Sequence, residues 1–179
     1  LYNTVDSVIV GNYVGKNALA AVGSSMSIIN MLIGFFLGLS TGAGVIISQY
    51  YGADAKKELH DAVHTTIAMI LISGVFLTFC GILFTPAILR MMGTPAEVME
   101  LSVRYLKIYF AGILSLMIYN MGAGILRAIG DSKRPLYYLI ASSLVNVALD
   151  LIFVVCFKMG VAGVAYATII AQTASAVWV

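Results

Sequence analysis

Two carboxylates, Asp6 and Asp150, stand inside long apolar runs. A charge at bilayer depth costs at least about 2.5–3.5 kcal/mol on insertion scales, so such residues face a cavity, pair with one another or mark an ion path. Asp150 has company on its own face. Ser143, Asn146 and Asp150 are spaced by three and four, the spacing of one helical turn. Asn3 and Asp6 are likewise three apart, and Thr168, Gln172 and Ser175 make a third stripe. Three polar faces in an apolar bundle predict a small wet cavity among three helices. Hydroxyls and amides alone read as glue between helices, each contributing about 0.6 kcal/mol on average. The two acids move the balance toward a site for a proton or a cation.

Enzyme chemistry finds less support. His60-Asp61-Ala62-Val63-His64 approaches the zinc-protease helix, but Asp stands where the general-base Glu belongs. Asp150 is the one third ligand on offer, yet Leu151 follows it where Gly is expected. Two intramembrane Asp could form a protease dyad sharing a proton. However, the Gly130-Asp131 pair follows Ala128-Ile129 and falls in a loop. Gly42-Ala43-Gly44 and Gly122-Ala123-Gly124 lie within apolar segments rather than after strands, so neither reads as a phosphate-binding loop. Cys80 and Cys156 sit in apolar runs, where a lone Cys behaves as a small hydrophobe. No catalytic residue is expected, and no cofactor beyond a coupling ion.

The elements that must position these residues follow from composition. The chain has 179 residues, 61% of them hydrophobic and 10% charged, and a mean hydropathy of +0.99. Soluble domains carry about 25% charge, so lipid is the expected solvent. Disorder, collagen-like repeats and disulfide scaffolds are excluded. Ten Lys+Arg against eight Asp+Glu, with no basic run, argue against nucleic acid as a partner. Leu1 opens directly into an apolar stretch and Val179 closes one, so the chain reads as a fragment of a longer protein, without a signal-peptide pattern at its start.

A span needs about 20 apolar residues. Six candidates result: a partial first at 1–14, then 22–48, 65–84, 105–126, 136–157 and a truncated sixth at 161–179. The runs are continuously apolar rather than alternating, so a barrel is excluded and the fold class is all-α, a polytopic membrane helix bundle. Connections are expected at 15–21, 49–64, 85–104, 127–135 and 158–160, with Pro86 and Pro95 breaking the third. Tyr13, Tyr50, Tyr51, Tyr105, Tyr137 and Tyr138 suit an interfacial belt. Asn30, Gly34, Gly38 and Gly42 recur every fourth residue, which predicts a face for close helix packing. Gly163, Ala167 and Ala171 repeat that spacing. Loop Lys and Arg divide five against five between the two sides. The dense loop at 127–135 tilts its side toward the cytoplasm.

Several short pieces together resemble the multidrug and toxic compound extrusion (MATE) transporters, close to the bacterial DNA-damage-inducible branch. They are Tyr2-Asn3-Thr4-Val5-Asp6 with Gly11 and Gly15, and Ala20-Ala21-Val22-Gly23. Gly42-Ala43-Gly44 then leads to Ser48-Gln49-Tyr50-Tyr51-Gly52-Ala53, and Arg127-Ala128-Ile129-Gly130-Asp131 fills a loop. Asn146, Asp150 and Gly163-Val164-Ala165-Tyr166-Ala167-Thr168 complete the series. Their order and spacing cover almost the whole chain.

The resemblance implies a twelve-helix, two-lobed protein of which residues 1–179 form most of the N-terminal lobe, six helices, with a cytoplasmic start in the inner (plasma) membrane. It implies antiport: a small organic substrate, cationic ones included, leaves as H+ or Na+ enters, and the missing C-terminal lobe is required. Carried over by motif, the cation or proton site is Asp6, Asn146, Asp150 and Thr168, with Na+ the metal candidate at Asp6 and Asp150. Asn3, Asn120 and Gln172 are cavity candidates. The alternatives are a flippase of lipid-linked precursors, for which the spans lack the expected Lys and Arg, an intramembrane zinc protease, and a purely structural membrane subunit.

Overall fold

The computed structural model describes residues 2–179, with side chains described from Thr4 onward. Asn3 as a cavity candidate therefore lies outside the described side chains. Among the described residues there is no strand. The helices are α1 (Tyr2–Tyr13), α2 (Lys16–Gly52), α3 (Lys56–Met91), α4 (Ala96–Ala111), α5 (Ile113–Ala128), α6 (Lys133–Leu151, continued by a π turn over Ile152–Cys156) and α7 (Val161–Trp178).

By length and composition, α2, α3, α7 and α6 with its π turn can each cross a membrane. The pair α4 and α5, bent by 48°, is apolar enough to make a fifth crossing when taken as one span. Their outward faces carry Phe35, Phe76, Phe79 and Leu83, all exposed and apolar, as a lipid-facing surface requires. The core is a seam of Ile29, Tyr105, Leu106, Tyr109, Ile113 and Val164, wholly or almost wholly buried.

The helices outrun the apolar windows. A window of hydropathy marks hydrocarbon, whereas a helix ends where its backbone hydrogen bonds end. Helix α2 spans 37 residues, about 55 Å at 1.5 Å per residue. The expected connection at 49–64 shrinks to Ala53–Ala55, so Glu58, His60, Asp61 and His64 sit on the first turns of α3. Pro86 does not break α3, which runs on to Met91. Membrane helices tolerate an internal proline where neighbours re-satisfy the backbone. Pro95 does mark a boundary, as the residue before α4. The stretch 96–104, expected as loop, is α4, whose charges Glu97, Glu100 and Arg104 are exposed while Val98, Ser102, Tyr105 and Tyr109 are buried.

The packing glycines are also different ones. A Cβ at Gly34, Gly38 or Gly42 would meet nothing within 4 Å, so that face packs on no helix among the described residues. Close approach occurs instead at Gly81 against Phe110, Gly112 against Ile169 and Gly124 against Ser40. At Gly124 the hydroxyl of Ser40 donates to the Asn120 carbonyl at 2.8 Å, joining α2 to α5. The Arg127–Asp131 motif has a local cause. Gly130, at φ 92°, lets the chain leave α5, with the Asp131 N–H donating back to the Leu126 carbonyl at 2.9 Å. Asp131 Oδ1 then accepts from the Arg134 N–H at 3.1 Å and starts α6.

Candidate functional site

Helix α1 packs on α6 and α7, and α6 on α7. This three-helix junction brings together the polar stripes. Asp6 on α1, Asn146 and Asp150 on α6 and Thr168 on α7 each have 0% exposure. The Thr168 hydroxyl donates to Asp6 Oδ2 at 3.0 Å, and Asn146 Nδ2 donates to Thr168 Oγ1 at 3.4 Å. The Asp150 carboxyl lies beside that of Asp6, near enough for a hydrogen bond once one of the two carries a proton. As carboxylates both groups only accept. Asp6 Oδ1, Asn146 Oδ1 and both Asp150 oxygens are left without a donor. Buried acceptors without partners are costly. Grouped oxygens of this kind fit a hard cation or a proton.

Two tyrosines from α4 complete the wall. Tyr105 and Tyr109 are one helical turn apart, with ring centroids separated by 6.5 Å, and both hydroxyls are buried without a hydrogen-bond partner. The Tyr105 hydroxyl lies against Asp6 and that of Tyr109 near Gln172. Tyr105 is therefore no part of an interfacial belt, unlike the exposed Tyr13, Tyr51 and Tyr137. Neither tyrosine was among the residues expected here. The available signal was the Ser102-Tyr105-Tyr109 spacing, legible only once 96–111 is recognised as one helix.

Gln172 is buried one turn beyond Thr168 and faces the same wall. Asn120 does not join the group. Its Nδ2 donates to the Leu116 carbonyl within α5, and among the described residues α1 makes no contact with α5. His60 and His64 stack at 3.9 Å on the exposed start of α3. Among the described residues no three His, Cys, Asp or Glu side chains converge as a metal site would need, so a zinc protease has no ligand set.

These features define a multi-pass membrane helix bundle with an acid pair buried at a three-helix junction. The family model described as MatE matches residues 1–152, and the chain belongs to that family, one of transporters rather than enzymes. It is 37% identical over 175 residues to the "Probable multidrug resistance protein YoeA" of Bacillus subtilis (strain 168), covering 96% of this chain and 38% of that protein. Among solved structures, "Crystal structure of MATE in the bent conformation" matches with a TM-score of 0.95 and 31% identity, over 99% of this chain and 40% of that one. The "Inward-facing conformation of a multidrug resistance MATE family transporter of the MOP superfamily" matches with a TM-score of 0.92 and 29% identity, over 99% and 40%. The chain thus spans about two fifths of the length of these relatives.

Proposed function

We propose that this chain is the cation-binding N-terminal lobe of an exporter that moves small organic compounds, cationic ones included, out of the cell in exchange for H+ or Na+. The single observation that carries the reading is the buried acid pair, three of whose oxygens lack donors together with Asn146 Oδ1. Such a site is costly unless something positive visits it. The names of the relatives support the cargo class. The full protein would sit in the inner membrane with its N-terminus in the cytoplasm, and would need a second lobe.

The chain's own residues have distinct tasks in this reading. Asp6 and Asp150 hold either a shared proton or, both ionised, a cation between them. Thr168 fixes the orientation of Asp6 through its 3.0 Å hydrogen bond, and Asn146 fixes Thr168. Tyr105 supplies a hydroxyl that turns toward whichever oxygen is charged. Bundle packing that differs between the two charge states biases the outward-open and inward-open populations.

The test is efflux from vesicles carrying the full-length protein, driven by an imposed proton or sodium gradient. Asp6→Asn and Asp150→Asn are each expected to abolish gradient-driven efflux while leaving the protein folded. Wild-type efflux in both variants removes the mechanism.

A further inference from the structure

Away from the acid pair, an open groove of about 620 Å³ runs between α2 and α3 toward the turn that joins them. Its walls are apolar, formed by Leu39, Ile46, Ile47 and Met69. Among the described residues a Cβ at Gly38 or Gly42 would meet nothing within 4 Å, so these positions add no bulk to the α2 wall. Five polar side chains break the apolar surface: Tyr50, Glu58, Asp61, Thr65 and Thr66. Glu58 and Asp61, from the first turns of α3, stand at the mouth. Thr66 lies deeper, its side chain 8% exposed and its hydroxyl making no hydrogen bond among the described residues.

Among the described residues no Lys or Arg forms an ion pair with the acids at the mouth. Glu58 has no ion-pair partner among the described residues, and Asp61 has only His60, at 3.5 Å. Lys56 is turned to Asp54 at 4.0 Å, and no Lys or Arg lines the groove. A surface with two carboxylates at one end, apolar walls along its length and a buried hydroxyl within is complementary to one kind of molecule: an apolar body with a positive head. Such a ligand gains by burying its body against the walls. Its head remains near the acids at the water boundary, where charges attract without full desolvation.

We propose that the α2–α3 groove is a binding site for amphipathic organic cations, separate from the Asp6–Asp150 site. In the exporter reading, on which its role but not its occupancy rests, it is a loading site. Cargo gathers there beside the membrane surface before reaching the inter-lobe path.

The test uses the full-length protein with Thr65→Cys, an exposed groove position, and with Cys80, Cys156 and any other cysteine replaced by serine. The rate of labelling by N-ethylmaleimide is read with and without tetraphenylphosphonium, and with neutral triphenylphosphine oxide as control. At twice its dissociation constant the phosphonium should slow labelling about threefold, and the neutral compound should not. Glu58→Gln together with Asp61→Asn should remove the protection, whereas Asp6→Asn should keep it even where efflux is lost. That last pair of results separates failure of the groove from failure of the coupling site. Absence of protection, equal protection by the neutral compound, protection that survives loss of both acids or disappears with Asp6, or a cysteine at 65 that never labels would each overturn the proposal.

Discussion

At the scale of single residues, the site is held by few hydrogen bonds, so each can be tested alone. The Thr168 hydroxyl is the donor that reaches Asp6 Oδ2. Thr168→Val leaves that oxygen unpaired and is expected to destabilise the fold by about 1–3 kcal/mol, seen as a lower melting temperature in detergent, with Thr168→Ser restoring most of it. Tyr105 gives the opposite signature. Its hydroxyl is buried without a partner, so Tyr105→Phe should cost no stability and could raise it, because an unpaired polar atom leaves the core. If the hydroxyl serves the cation, gradient-driven efflux falls in the same variant. Unchanged efflux would assign Tyr105 to packing alone.

At the scale of elements, the informative contrast is between glycines that make contact and glycines that do not. Gly124→Ala would drive a Cβ into Ser40 and disturb the Ser40–Asn120 hydrogen bond between α2 and α5. A loss of about 1–3 kcal/mol is expected. Gly34→Ala, with open space around it, should be neutral or stabilising by up to about 1 kcal/mol. Thermal unfolding of the two variants side by side checks both.

The same contrast shows what could be read from sequence. Asp6, Asn146, Asp150 and Thr168 were legible because a polar residue in a long apolar run stands out and helical spacing sorts it onto a face. Gly34, Gly38 and Gly42 suggested a seam from spacing alone, but spacing cannot say whether another helix lies opposite. Pro86 looked like a break because sequence shows the missing N–H and not the neighbours that compensate. Tyr105 looked interfacial because it stood at the start of the apolar window 105–126, although the helix begins at Ala96 and buries it.

At the scale of the whole molecule, the turns alternate between two sides. The α2–α3 turn at 53–55 and the α5–α6 turn at 129–132 fall on one side. The turns near Gly15, at 92–95 and at 157–160 fall on the other, provided α4 and α5 together make one crossing. Single cysteines at Asp54 and Ser132 should therefore label together with a membrane-impermeant maleimide in right-side-out or inverted vesicles, and Thr94 and Lys158 in the opposite preparation. Labelling of all four from one side would refute this topology.

The 48° break between α4 and α5 has one more consequence. It falls at Gly112, where Ile169 of α7 occupies the space a side chain would need. A straight rod presents one face along one line; a bent one can aim its two halves at different neighbours. The α4 segment carries Tyr105 and Tyr109 to the acid pair and is tied to α2 where the Ser102 hydroxyl meets that of Ser24 at 3.0 Å, while α5 is fastened to the same helix by Ser40. The bend thus gives one crossing two addresses: its first half sets the two phenols beside the acids, and its second half seats on α2.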